Sequence, residues 1–97
     1  MTGYIPVSTG DIIRVKNIEM DKNNTIPNAC MVMFYSALGV HCGNHGASDL
    51  TTYQNAIWDE NGMLTQFTIQ NMEMSYIRLQ SSYININSII TINEPID

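Results

Sequence analysis

The closing stretch constrains the fold most. Tyr76-Ile77-Arg78-Leu79 and Ser88-Ile89-Ile90-Thr91-Ile92-Asn93 are two short runs rich in β-branched residues, and Pro95 ends the second. Such residues are stiff at χ1 and pack well on a pleated surface, so both runs predict strands rather than helices. The opening has the same character, with Tyr4-Ile5-Pro6-Val7 followed by Gly10-Asp11 and then Ile12 to Met20. Pro6 has no N–H to give an inner ladder, which assigns the first run to a sheet edge. In the second run Ile13 and Val15 share one face and Arg14 and Lys16 the other.

Further along, Ala29 to Leu38 is a continuous apolar run read as a buried strand, after a turn-rich loop over residues 21–28. Residues 39–49 hold three glycines, both histidines and Cys42, and read as the longest irregular stretch. Thr51 to Trp58 carries two competing signals. Ser48 is placed to cap a helix with the stripe Leu50, Tyr53 and Ile57, whereas Asn61-Gly62 is a strong hairpin signal. The hairpin is favoured, with Asp59-Glu60-Asn61-Gly62 as its connection and Met63 to Ile69 as its return strand. Met74 to Leu79 alternates, setting Met74, Tyr76 and Arg78 opposite Ser75, Ile77 and Leu79. Short strands with turn signals every roughly 8–12 residues predict an all-β, antiparallel, jelly-roll-like β-sandwich with at most one short helix. At 97 residues this is one domain, small enough for association to add usefully to its stability.

Composition narrows the partners. Charged residues make up 13 % of the chain and the net charge is −5, with only Arg14, Lys16, Lys22 and Arg78 positive. Four scattered cations do not make a phosphate-binding patch, so nucleic acid is excluded as an expected partner. No apolar run reaches the ~18 residues of a membrane span, and the N-terminus lacks the pattern of a signal peptide. Neutral Asn, Thr, Ser and Gln therefore supply most of the polar surface. Such a surface suits sugars or packing against identical subunits better than long-range electrostatic steering.

Taken in order, several segments share a framework: Thr2-Gly3-Tyr4-Ile5-Pro6-Val7, Gly10-Asp11-Ile12-Ile13-Arg14-Val15-Lys16-Asn17, Phe34-Tyr35-Ser36 and Asp59-Glu60-Asn61-Gly62. Gln66-Phe67-Thr68-Ile69, Tyr76-Ile77-Arg78-Leu79 and Ile89-Ile90-Thr91-Ile92-Asn93-Glu94-Pro95-Ile96 complete it. This framework resembles a carbohydrate-binding-like β-sandwich module of phage tail-fibre, baseplate and other virion surface proteins. The resemblance implies a non-enzymatic module, made in the host cytoplasm and displayed on the virion, that meets a host cell-surface glycan and other virion proteins. It also implies a homotrimer, and either a module of a larger virion protein or a chain completed by a neighbouring subunit. The rival expectation is a structural module that trimerises or caps a fibre without its own ligand. A small acidic inhibitor of a host protein is a third class consistent with the charge.

Chemistry-bearing residues cluster in the middle of the chain. Cys30, His41, Cys42 and His45 are all its cysteines and histidines, and two of each can in principle hold zinc. Adjacent His41 and Cys42 cannot readily share one ion, so no metal or other cofactor is expected. A thiolate mechanism would combine Cys42, His45 and Asp49, but it needs a base within hydrogen-bond reach of the thiol, and no enzyme activity is expected. The glycan candidates are Trp58 and Tyr53 as stacking rings, with Asn44, His45, Asp49 and Asn55 for sugar hydroxyls. Trp58 is weighed against a place in the core, which large aromatics commonly fill. Arg78 is expected to pair with Glu73 or Glu94.

Overall fold

The β-branched runs form strands wherever alternate residues can be buried. The structure is a computed structural model that describes residues 2–23, 31–70 and 73–96. Among these residues eight strands follow in chain order: β1 (Ile5–Pro6), β2 (Ile12–Lys16), β3 (Val32–Tyr35), β4 (His41–His45), β5 (Ile57–Trp58), β6 (Leu64–Thr68), β7 (Tyr76–Leu79) and β8 (Ile89–Ile92). One α-helix, α1 (Ala47–Tyr53), lies between β4 and β5, and a 3-10 turn spans Ser81–Tyr83. Two four-stranded sheets result, in the orders β1-β7-β3-β4 and β5-β6-β2-β8, and every pairing is antiparallel. The chain stays in one sheet only for the hairpins β3–β4 and β5–β6, and otherwise crosses to the other. An all-β sandwich with a short helix is thus the architecture.

The core lies between the sheets. From one sheet Val32, Phe34, Ile77 and Leu79 point inward, and from the other Ile13, Val15, Leu64 and Phe67, all buried. Burying each large side chain contributes about 1.5–3 kcal/mol against the entropy of ordering it. Met20, Met31 and Met74 are buried too, as expected of gap-filling methionines, whereas Met33 lies on the outer side of β3. The alternation read for β2 is the observed one, and that for β7 holds over Tyr76–Leu79. Met74, read on the face of Tyr76 and Arg78, is instead buried with Ile77 and Leu79, because it precedes the strand and is not bound to its alternation. Pro6 sits at an edge, as its missing N–H requires.

The Asp59–Gly62 connection forms as expected. Asp59 Oδ1 accepts from the N–H groups of Asn61 and Met63, and Gly62 adopts φ 80°, a conformation that favours glycine. Two local expectations differ. Residues 39–49 are not irregular, because β4 pairs along β3. Residues 47–53 are helical, so the chain uses both the helix and the hairpin signals rather than one. Gly46, not Ser48, occupies the N-cap, and only Ala47 and Leu50 of the helix are buried. Strands β2 and β3 are shorter than the runs that predicted them. Residues 24–30, with most of the expected loop and Cys30, lie outside the described residues, as do residues 71 and 72.

The closing stretch spans both layers. Strand β7 belongs to one sheet and β8 to the other, with the 3-10 turn leading across. A network around Asn17, itself at φ 59°, ties the end of β2 to the approach to β8. Its side-chain amide donates to the Asn87 carbonyl, while its own carbonyl accepts from Asn85 Nδ2 and Ser88 Oγ.

Candidate functional site

Strand β4 sits at an edge, and one irregularity decides which way its side chains face. Val32 opposes His45, Met33 opposes Asn44 and Phe34 opposes Gly43, but Tyr35 opposes His41. Cys42 is therefore the extra residue of a β-bulge, which shifts the alternation of the strand. His45 lies on the core-facing side, its ring 4.6 Å from that of Phe34. His41 lies on the outer side, 5.5 Å from the Tyr35 ring, and its Nε2 is 2.6 Å from Asn44 Oδ1.

This geometry separates the two histidines that a zinc site would need together. Among the described residues no group of three or more Cys, His, Asp or Glu side chains is placed to hold a metal ion. The Cys42 thiol is exposed and donates to the Val40 carbonyl at 3.4 Å, so its hydrogen bond is not to an imidazole.

Helix α1 follows β4 directly and brings Tyr53 back over His45, with 6.0 Å between the ring centroids. Tyr53 is 60 % exposed. Its ring stands at one side of a cleft of about 670 Å³ lined by Cys42, His45, Tyr53, Gln54, Gln70, Glu73 and Met74. His45 is half-buried, and desolvation holds its pKa below the usual 6.5, while the Asp49 carboxylate acts in the opposite direction. Its Nδ1 is buried and has no hydrogen-bond partner among the described residues, which fits a neutral ring.

Gln54 shapes the cleft from below and is a residue that sequence patterning did not single out. It is 2 % exposed, a rare placement for a glutamine. Its Oε1 accepts from the Gln70 N–H at 3.0 Å, its Nε2 is 3.9 Å from Met74 Sδ, and its carbonyl accepts from the Thr68 N–H. The end of α1 is thereby clamped to the end of β6. Gln70, Glu73 and Met74 were likewise missed, because they reach the cleft through the β6–β7 turn, far from it in sequence.

The structure thus gathers His45 and Tyr53, with Asp49 close enough to act on the imidazole, and disperses the other candidates. Asn44 is on the outer side of its sheet. Asn55 adopts φ 50° directly after the helix, where an asparagine tolerates the left-handed conformation that ends it. Trp58 is half-buried against the core, and its Nε1–H donates to Thr51 Oγ1 at 2.9 Å, so the indole fastens α1 to β5 rather than lining the cleft.

A second aromatic group covers the outer side of the first sheet. Tyr4 meets Tyr35 and Tyr76 edge-on at 5.0 and 6.0 Å, and the Arg78 guanidinium lies 4.8 Å above the Tyr4 ring. Arg78 Nε also donates to the Thr2 carbonyl, which holds the segment before β1 against β7. A cation stacked this way on an aromatic face contributes about 0.5–1 kcal/mol where exposed.

No known protein family, no curated protein and no solved structure matches this chain.

Proposed function

We propose that this chain is a non-enzymatic virion surface module that binds a host cell-surface carbohydrate in the cleft beside α1. The observation that carries the carbohydrate reading is the exposed Tyr53 ring beside His45, at the side of a cleft with amide and carboxylate walls. A pyranose has an apolar C–H face that stacks on an aromatic ring and a rim of hydroxyls that need donors and acceptors. Gln70 supplies both kinds and Glu73 supplies acceptors, around a base made rigid by buried Gln54. Placement on a virion rests on the framework resemblance of the opening and closing strands. The low content of charged residues supports a neutral, hydrogen-bonding ligand over a polyanion.

Binding of the purified chain to immobilised host-envelope polysaccharides tests this. The wild type is expected to be retained, and Tyr53→Ala to weaken retention by ~10-fold or more, the scale of truncating an aromatic residue central to a binding surface. Trp58→Phe should bind as the wild type does. Absence of retention by the folded wild type, or equal retention of Tyr53→Ala, would overturn the proposal. A stable oligomer without glycan retention would return the rival role, a fibre module that trimerises or caps without its own ligand.

A further inference from the structure

The sandwich has four sheet edges, and three of them are blunted against further strand pairing. Strand β1 is two residues long and contains Pro6. Strand β4 carries the Cys42 bulge and runs directly into α1. Strand β5 is also two residues long, with a register shift between Ile57 and Trp58. Short strands, prolines and bulges are the usual devices that prevent edge-to-edge association. Strand β8 has none of them. It is four residues, Ile-Ile-Thr-Ile, with no charge, proline or bulge, and it pairs in unbroken register with β2.

The direction of its free backbone groups follows from that register. Asn93 N–H donates to the Ile12 carbonyl, one step beyond the Ile13–Ile92 pair. Bonded pairs alternate in an antiparallel ladder, so Thr91 and Ile89 bond to β2 through Arg14 and Lys16. The N–H and C=O groups of Ile90 and Ile92 consequently point away from β2, to the side where no strand lies among the described residues. The side chains of these same two residues face the core, opposite buried Val15 and Ile13, yet remain only half-buried. The core layer is thus open along β8, whereas on β2 it is closed. Ile89 is exposed beside it, and Ile86, in the loop before β8, is 99 % exposed.

We propose that β8 is an interface for a second copy of this chain, paired antiparallel about a two-fold axis at Thr91. In that arrangement Ile90 of each copy opposes Ile92 of the other, and the two exchange both backbone hydrogen bonds. The outward-pointing groups of one copy are those the other requires, so the edge is self-complementary. Their side chains close the open end of both cores with cross-strand isoleucine pairs. Thr91 meets its own counterpart on the outer face. The second sheets of two copies become one continuous sheet, and the cleft beside α1, built on the other sheet's edge, is left open in both.

Sedimentation of the purified chain from about 1 μM to about 1 mM tests this, and a dimer is expected to form within that range. Thr91→Glu is the diagnostic variant. It sits opposite Arg14 within its own sheet, which offsets the loss of the hydrogen bond that the Thr91 hydroxyl donates to the Glu94 carbonyl, and meets its own counterpart across the axis, which opposes the dimer. Its dissociation constant should rise ~10-fold or more, as should that of Thr91→Lys, with circular dichroism showing both folded. An equimolar mixture of the two should associate again. Amide exchange at Ile90 and Ile92 should slow as concentration rises. A wild type that stays monomeric at about 1 mM, a closed trimer, unaltered association of both variants, or exchange at Ile90 and Ile92 that ignores concentration would each overturn the proposal. Association restored only by adding another protein would overturn it in favour of a foreign strand on the same edge.

Discussion

Strands β2 and β4 are each five residues long and are built in opposite ways. Strand β2 lies inside its sheet, with β6 on one side and β8 on the other, and buries Ile13 and Val15. Strand β4 lies at an edge, pairs among the described residues with β3 alone, is bulged at Cys42 and buries no residue fully. Side-chain burial specifies the first, and backbone pairing with β3 specifies the second. A strand held by its backbone leaves its side chains available, which is why the imidazole and thiol of the cleft sit on β4 and none sit on β2.

That contrast breaks most sharply in the core. Ile13→Ala should lower unfolding stability by about 2–5 kcal/mol, since it removes a fully buried side chain whose neighbours belong to both sheets. Denaturant midpoints at unchanged m-value are the measurement, and a loss under about 1 kcal/mol would mean that side-chain burial does not hold β2 in place. Next in size is Gln54→Ala, which leaves the Gln70 N–H without its partner and should cost about 1–3 kcal/mol. Chemical shifts confined to α1 and the β6–β7 turn would show that the loss is local to the cleft.

The third effect depends on pH. Because the folded pKa of His45 lies below 6.5, the unfolded chain takes up a proton first as pH falls. Stability from this residue is therefore complete above pH 6.5 and is lost as pH drops through the lowered folded value. His45→Gln should lose less stability than the wild type between about pH 7.5 and about pH 5, and identical pH profiles would contradict the burial argument. Smallest of all is Cys42→Ala. An exposed bulge residue whose thiol meets only a carbonyl should shift stability by no more than about 0.5 kcal/mol. Thermal melts that fall well outside that range would put structural weight on β4 after all.

The same contrast explains what could be read from the chain directly. Strands whose side chains alternate between core and solvent announce themselves: Ile13 and Val15 in β2, and Ile77 and Leu79 in β7. Pro6 and Asn61-Gly62 do so through backbone chemistry. The His41–Cys42–Gly43–Asn44–His45 segment offers no such pattern, because an edge strand paired on one side tolerates residues that strands otherwise avoid. The bulge then undoes any inference from spacing, since one inserted residue reverses which side chains share a face. Helix α1 is short, lacks a side-chain cap and buries two residues, so its local signals were weak beside the hairpin's. The candidate site was legible only in part for the same reason. His45 and Tyr53 lie close in sequence, but Gln70, Glu73 and Met74 join them through a turn between two sheets.

The interleaving of the sheets also sets a timetable. Strand β2 is made early, and both its neighbours, β6 and β8, are made late. During synthesis Ile13 and Val15 wait, unpaired, until β6 and β8 have followed them out of the ribosome, and pairing then requires distant segments to find each other. Topologies of this kind fold in milliseconds to seconds rather than microseconds, and the nascent chain is open to sticking for that interval. For this protein, the hazard of birth lies in an inner strand whose partners are made after it.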